Sequence, residues 1–245
     1  MQVRSKITKQ NSASYVEIKI PRTWISTKPT AKTPHSQLQL SANLLRVVVK
    51  VSHDNFLVDF MLEAIREHNI PLSTWHTNMT KEISESGAGI YYATVFDVPT
   101  DCTCFIIGEG SRPQISLVLS KLRPTWNIIS IDPIIECEDH DRVEYIRGFD
   151  YEYDIKNPCS NIVIIGIHSH GDMAQFYRRI CENCPQARKL LVFVPCCFSV
   201  GSIQPDFDFE CPGIFSAKNR TIICTDFDAN DGIKTQIDRW KNITM

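Results

Sequence analysis

No apolar run in this 245-residue sequence approaches the ~18 residues needed to cross a bilayer. The opening segment MQVRSKITKQNSAS also lacks the apolar core of a secretion signal. An intracellular protein, cytoplasmic or nuclear and without a membrane partner, is expected. Net charge is small too: a value of −2 argues against a polyanion-binding surface over the whole molecule and leaves a local patch open. There is no internal repeat, which sets solenoids aside, and no low-complexity tract.

Cysteine, by contrast, is plentiful. Ten are present, but Cys104, Cys196, Cys197 and Cys224 sit in apolar, strand-like runs, so reduced thiols fit better than a secreted disulfide framework. The Asn-x-Ser/Thr triplets at Asn78, Asn219 and Asn242 then carry no glycosylation meaning. Joining Cys181-x-x-Cys184 to Cys196 and Cys197 would supply four thiols, yet adjacent cysteines rarely both ligate one ion, and no metal is expected.

The chain is long enough for one large core or two modest ones. Residues 1–14 are polar, Tyr15–Ile20 alternates as a half-buried strand ended by Pro21, and residues 26–42 look like a loop or linker. Leu44–Val51 is a second strand. Ser52-His53-Asp54 offers caps for a helix over about 55–68, with Phe56, Val58, Phe60, Met61 and Ile65 inward. Tyr91–Val98 reads as one more strand, giving an α+β extension over residues 1–100.

Over residues 101–245 the pattern changes to apolar runs at Cys104–Ile107, Trp126–Ile131, Val143–Ile146, Ile162–Ile167, Lys189–Val194 and Thr221–Thr225. Most lack alternation, as strands covered on both faces do, so this half is α/β with a parallel sheet. Ile203–Phe215 and Arg220–Phe227, separated by Ser216-Ala217-Lys218-Asn219, suggest a closing antiparallel hairpin.

Chemistry concentrates at the ends of these runs. In CFIIGEGSRPQISLVLSKL, Gly108 and Gly110 follow a strand and precede a helix, with Ser111 and Gln114 spaced as a capping box and Pro113 suited to the first turn. Such a start aims backbone N–H groups at a ligand over the strand end. A third glycine is missing, since Arg112 or Pro113 stands in its place, and no acid precedes the first glycine. The next strand ends in Asp132, 24 residues after Gly108, where a carboxylate can accept from ribose hydroxyls. The third leads into Asp150-Tyr151-Glu152-Tyr153-Asp154, able to hold an adenine amino group and stack its ring, or else a solvated loop. The fourth gives Ile165-Gly166-Ile167-His168-Ser169-His170-Gly171-Asp172-Met173. Of these, His168 is the better candidate for ligand contact, while Asp172 is a helix N-cap or a second catalytic candidate. The fifth ends in Pro195-Cys196-Cys197, a nucleophile or simply buried thiols.

This order resembles the Rossmann-like S-adenosylmethionine-dependent methyltransferases: a glycine turn after the first strand, an acid after the second, a polar loop after the fourth, a closing hairpin. IIGIHSHGDM followed by LLVFVPCCFS is similar to a methyltransferase-like subgroup with leucine-histidine-x-x-glycine and Val-Pro-Cys-Cys strand ends. The resemblance covers residues 102 to about 227. It implies S-adenosylmethionine as cofactor, with Gly108, Glu109 and Gly110 at its methionine part, Asp132 at the ribose, Asp150 or a neighbour at the adenine, and His168 at the edge of the substrate site. The acceptor would be RNA or a small molecule. The loop His168-Ser169-His170-Gly171 is unlike the Asn/Asp-Pro-Pro-aromatic loop of exocyclic-amine nucleic acid methyltransferases. Two other readings stay open: a catalytically inactive methyltransferase-like scaffold acting through a protein or nucleic acid partner of residues 1–100, and an NAD-dependent oxidoreductase, which would lack the hairpin.

Overall fold

The computed structural model describes residues 6–10, 13–21, 38–41, 44–51, 55–70, 79–138, 142–155, 159–196, 203–229 and 231–243. Among these residues there are two sheets. The first is antiparallel throughout, in the order β1-β2-β4-β3, from β1 (Lys6–Gln10), β2 (Ala13–Pro21), β3 (Leu38–Ser41) and β4 (Leu44–Val51).

Two helices follow, α1 (Phe56–Glu67) and α2 (Met79–Val95). The second sheet then runs through β5 (Thr103–Ile107), α3 (Gln114–Leu122), β6 (Asn127–Ile131), β7 (Val143–Ile146), β8 (Asn161–Ile167), α4 (Met173–Asn183), β9 (Arg188–Val194), β10 (Phe207–Glu210), β11 (Arg220–Thr225) and α5 (Asp231–Ile243). Its order is β10-β11-β9-β8-β5-β6-β7. Strands β5 to β9 are mutually parallel, and β11 lies antiparallel to both β9 and β10. This is the mostly parallel sheet with a closing antiparallel hairpin that the resemblance implied. The chain leaves β5 outward through β6 and β7 and then returns to β8 on the other side of β5, so the sheet has a switch point between β5 and β8, where α/β sheets bind ligands.

Burial on both faces accounts for the unbroken apolar strands. Cys104 and Ile106 of β5 face one core with residues of α1, α2, α3 and α5, while Phe105 and Ile107 face another with Met173, Phe176 and Ile180 of α4. The first core extends back across residue 100 through Leu57, Val58, Met61, Ile83, Ile90 and Tyr92.

Several local expectations change, among them the loop or linker over residues 26–42, of which 38–41 form β3 and the others lie outside the described residues. The run Tyr91–Val98 is not a strand: Tyr91–Val95 end α2, and beyond the helix Phe96 makes an isolated bridge to Ala229. Gly87 and Gly89 hide this helix in the sequence, but they serve close packing. A Cβ on Gly87 would lie 2.7 Å from Met61 Cγ, and one on Gly89 2.8 Å from Ile165 Cγ2. The cap of α1 is Asn55, whose side chain accepts from the Leu57 and Val58 amides; Ser52, His53 and Asp54 lie outside the described residues. Phe56 and Phe60 are only half-buried, and Leu57 and Ala64 join the inner face instead. The β10–β11 connection spans residues 211 to 219, longer than the four-residue turn expected. Its apolar residues fold inward: Ile214 is buried, and the Gly213 carbonyl accepts from Asn55 Nδ2 at 2.7 Å.

Candidate functional site at the sheet switch point

Gly108 and Gly110 close β5 in the left-handed region, φ 77° and 81°, which glycine alone adopts without penalty. Their surroundings differ. A Cβ on Gly108 would stand 2.9 Å from Ser169 Cα, Cβ and Oγ, whereas one on Gly110 would meet nothing within 4 Å. The ends of β5 and β8 are therefore in contact at Gly108, and the open side lies over Gly110.

The capping box does not form. Pro113 is the N-cap of α3 and makes no side-chain cap bond. Gln114 is buried and turns to α2 instead, its Nε2 donating to Glu82 Oε2 at 3.2 Å and its Oε1 accepting from Ser86 Oγ at 3.3 Å. Packing against a helix that the sequence did not reveal overrides the local spacing. Arg112 is exposed.

Glu109 lies between the two glycines, but its carboxyl turns inward between β6 and α3. Oε1 accepts from the Ser116 amide at 2.8 Å and Oε2 from Ser130 Oγ at 2.7 Å. Burial pushes this carboxyl up to about 7, against the opposing pull of those hydrogen bonds.

Asp132 is buried just past β6. Its Oδ2 accepts from the Gly110 amide and its Oδ1 from the Ile134 amide, both at 2.8 Å. The acid thus holds the glycine turn to the neighbouring strand. A carboxylate has about four lone-pair sites, so these two bonds leave acceptor capacity.

Asp150 opens a single 3-10 turn, Asp150–Glu152, and is buried. Its carboxyl sits against Gly171, where a Cβ would be 2.7 Å from Oδ1. Burial raises its proton affinity above the usual carboxylate range, the nearby Asp172 charge adds to this, and Arg179 opposes it. Arg179 Nη1 also donates to the Asp150 carbonyl at 2.8 Å. Phe149 and Tyr151 flank it as an exposed stacked pair, centroids 5.2 Å apart and rings 12° from parallel.

His168 stands just beyond β8 with φ 52°, and its Nε2 lies 2.8 Å from Glu85 Oε1. Glu85 belongs to α2, is 7% exposed, and has Lys81 Nζ 3.5 Å from the same oxygen. Asp172 is the N-cap of α4, accepting from the Gln175 amide at 2.9 Å. The Cys196 thiol is 3.5 Å from the His168 carbonyl and 3.9 Å from His170 Nδ1, and Lys218 Nζ donates to the Cys196 carbonyl. Cys197 lies outside the described residues.

The structure gathers Gly108, Glu109, Gly110, Asp132, Asp150, His168 and Asp172 along one edge of the sheet, at the C-terminal ends of its parallel strands. Glu85 and Ser169 escaped sequence reading. Ser169 sits in the loop His168-Ser169-His170-Gly171, where nothing along the chain marks its contact with Gly108. Glu85 lies 83 residues before its partner, in a helix whose glycines concealed it.

No protein-family profile and no curated protein matches the chain. Among solved structures it is similar to CalO1, a methyltransferase in calicheamicin biosynthesis, with 17% identity, TM-score 0.33 and coverage of 51% of this chain and 39% of that one. It is also similar to coclaurine N-methyltransferase (12%, 0.35, 60% and 46%) and to the mitomycin 7-O-methyltransferase MmcR (12%, 0.36, 68% and 66%). The chain spans less than half the length of the first two.

Proposed function

We propose that this chain is an S-adenosylmethionine-dependent methyltransferase of the subgroup with leucine-histidine-x-x-glycine and Val-Pro-Cys-Cys strand ends, acting inside the cell on RNA or a small molecule. The observation that carries the reading is the pair of left-handed glycines at the end of central strand β5, beside the β5/β8 switch point and tied to the buried acid Asp132. The cofactor fits on the Gly110 side, where the surface is open, and Asp132 keeps lone pairs for its ribose. Asp150 and Tyr151 then serve the adenine end. When bound, the cofactor's sulfonium supplies an electrophilic methyl group.

The protein's own part is positioning and proton handling. Asp132 keeps the turn in register with β6, Ser169 closes the Gly108 side, and His168 stands at the neighbouring strand end, where an acceptor would meet the cofactor. Residues 1–100 are assigned to holding the acceptor or a protein partner.

Calorimetry tests the reading: micromolar binding of S-adenosylmethionine and S-adenosylhomocysteine is expected, lost in Asp132→Ala. Absence of heat with both ligands would overturn it. A second reading, an inactive scaffold, draws on the self-held turn, in which Ser169 packs on Gly108 and Asp132 is bonded to Gly110. It predicts partner capture that survives substitution of Gly108 and Asp132. Titration with reduced nicotinamide, followed by fluorescence, checks the oxidoreductase alternative.

A further inference from the structure

His168 is held in its left-handed conformation from three directions. Its amide donates to the Val194 carbonyl at 2.9 Å, its carbonyl accepts from the Cys196 thiol at 3.5 Å, and its ring Nε2 meets Glu85 Oε1 at 2.8 Å. A non-glycine residue persists at φ 52° only where its surroundings hold it, and such residues collect at functional sites. Glu85 reaches the ring because α2 lies so close to β8 that Gly89 has no room for a Cβ. Its carboxylate is buried, with Lys81 Nζ 3.5 Å from the same oxygen.

A carboxylate only accepts hydrogen bonds, so in the neutral ring Nε2 carries the proton and the lone pair lies on Nδ1. Nδ1 has no partner among the described residues, and it is not sealed from solvent. We infer that Glu85 is a positioning residue that fixes His168 in the Nε2–H tautomer, presenting Nδ1 as the proton acceptor of the site. The methyl acceptor is accordingly a group that brings its proton with it, a hydroxyl or an N–H, rather than a thioether or a tertiary amine.

This rests on the methyltransferase reading above. In the transfer, the acceptor's O–H or N–H bond breaks, the proton goes to Nδ1, and the freed electron pair forms the bond to the methyl carbon. The pair of the broken carbon–sulfur bond stays on sulfur. The carboxylate then stabilises the imidazolium that results, as an acid behind a catalytic histidine does.

The test needs no substrate. In the full chain labelled with 15N-histidine, long-range proton–nitrogen spectra report each ring's tautomer, and His168→Gln assigns the signal. The wild type is expected to show Nε2–H at His168, Lys81→Met to keep it, and Glu85→Ala to give a tautomer mixture. Glu85→Gln, which is closer in shape, is the second variant; its amide can donate as well as accept, so a mixture is expected there too. A wild-type Nδ1–H tautomer, or an unchanged tautomer in both Glu85 variants, would overturn the inference. Calorimetry on the same samples separates the two claims. Glu85→Ala should bind S-adenosylmethionine as the wild type does, and a wild type that gives no heat defeats the methyltransferase reading without altering what the spectra say of Glu85.

Discussion

Replacing Glu109 by Gln removes a charge that the fold encloses between hydrogen-bond donors, with no cation against it among the described residues. The residue as a whole is partly exposed, but its carboxyl is shut between β6 and α3, and burial raises it from an ordinary 4.5 to about 7. At 1.36 kcal/mol for each tenfold change in proton affinity, that rise is worth about 3 kcal/mol. The folded state binds the proton more tightly than the unfolded chain. The wild type therefore has this contribution in full below pH 4.5 and loses it as pH rises to about 7, the native proton affinity. Gln preserves the geometry: its carbonyl can accept from the Ser116 amide and its NH2 can donate to Ser130 Oγ. Urea unfolding of both proteins at pH 5 and pH 8 measures the effect. A gain of about 1 kcal/mol for Glu109→Gln is expected at pH 5 and of about 3 kcal/mol at pH 8, the latter for a chain of this size roughly 6–12 °C in Tm. Other titrating groups cancel in the comparison. A wild-type-minus-variant difference independent of pH would refute the reasoning.

The two glycines of the turn should respond unequally to alanine. Gly108→Ala is expected to lose about 2–5 kcal/mol in urea unfolding, because the strain of a left-handed alanine is joined by a clash with the Ser169 backbone, while Gly110→Ala meets only the strain, about 1–2 kcal/mol. An equal loss at both would contradict the Ser169 contact. Asn55→Ala should cost about 2–4 kcal/mol, since it removes the α1 cap and leaves the Gly213 carbonyl without its donor; Asn55→Ser, which can cap but not reach Gly213, should fall between it and the wild type.

The order of β5 to β9 was legible because most of these parallel strands, covered on both faces, are unbroken apolar runs. Val143–Ile146 and Leu44–Val51 were read to the residue. Asp172 as a cap was legible for a similar reason, its hydrogen bond reaching only three residues onward. The helix over 79–95 was not. Gly87 and Gly89 look like breakers along the chain, and only the neighbouring Met61 and Ile165 show why glycine is needed there.

Hydrophobic periodicity along the chain is enough to say which residues arrive at the C-terminal edge of the sheet, since it places strand ends and the polar residues that follow them. It did not determine what each side chain faces, because those partners come from distant parts of the chain. Only the tertiary structure turned Glu109 inward to Ser116 and Ser130, bound Asp132 to Gly110, closed Gly108 with Ser169, and brought Glu85 to His168. Local pattern records burial, which every strand carries in its own residues, whereas a site is made by contacts between residues that the fold alone makes neighbours.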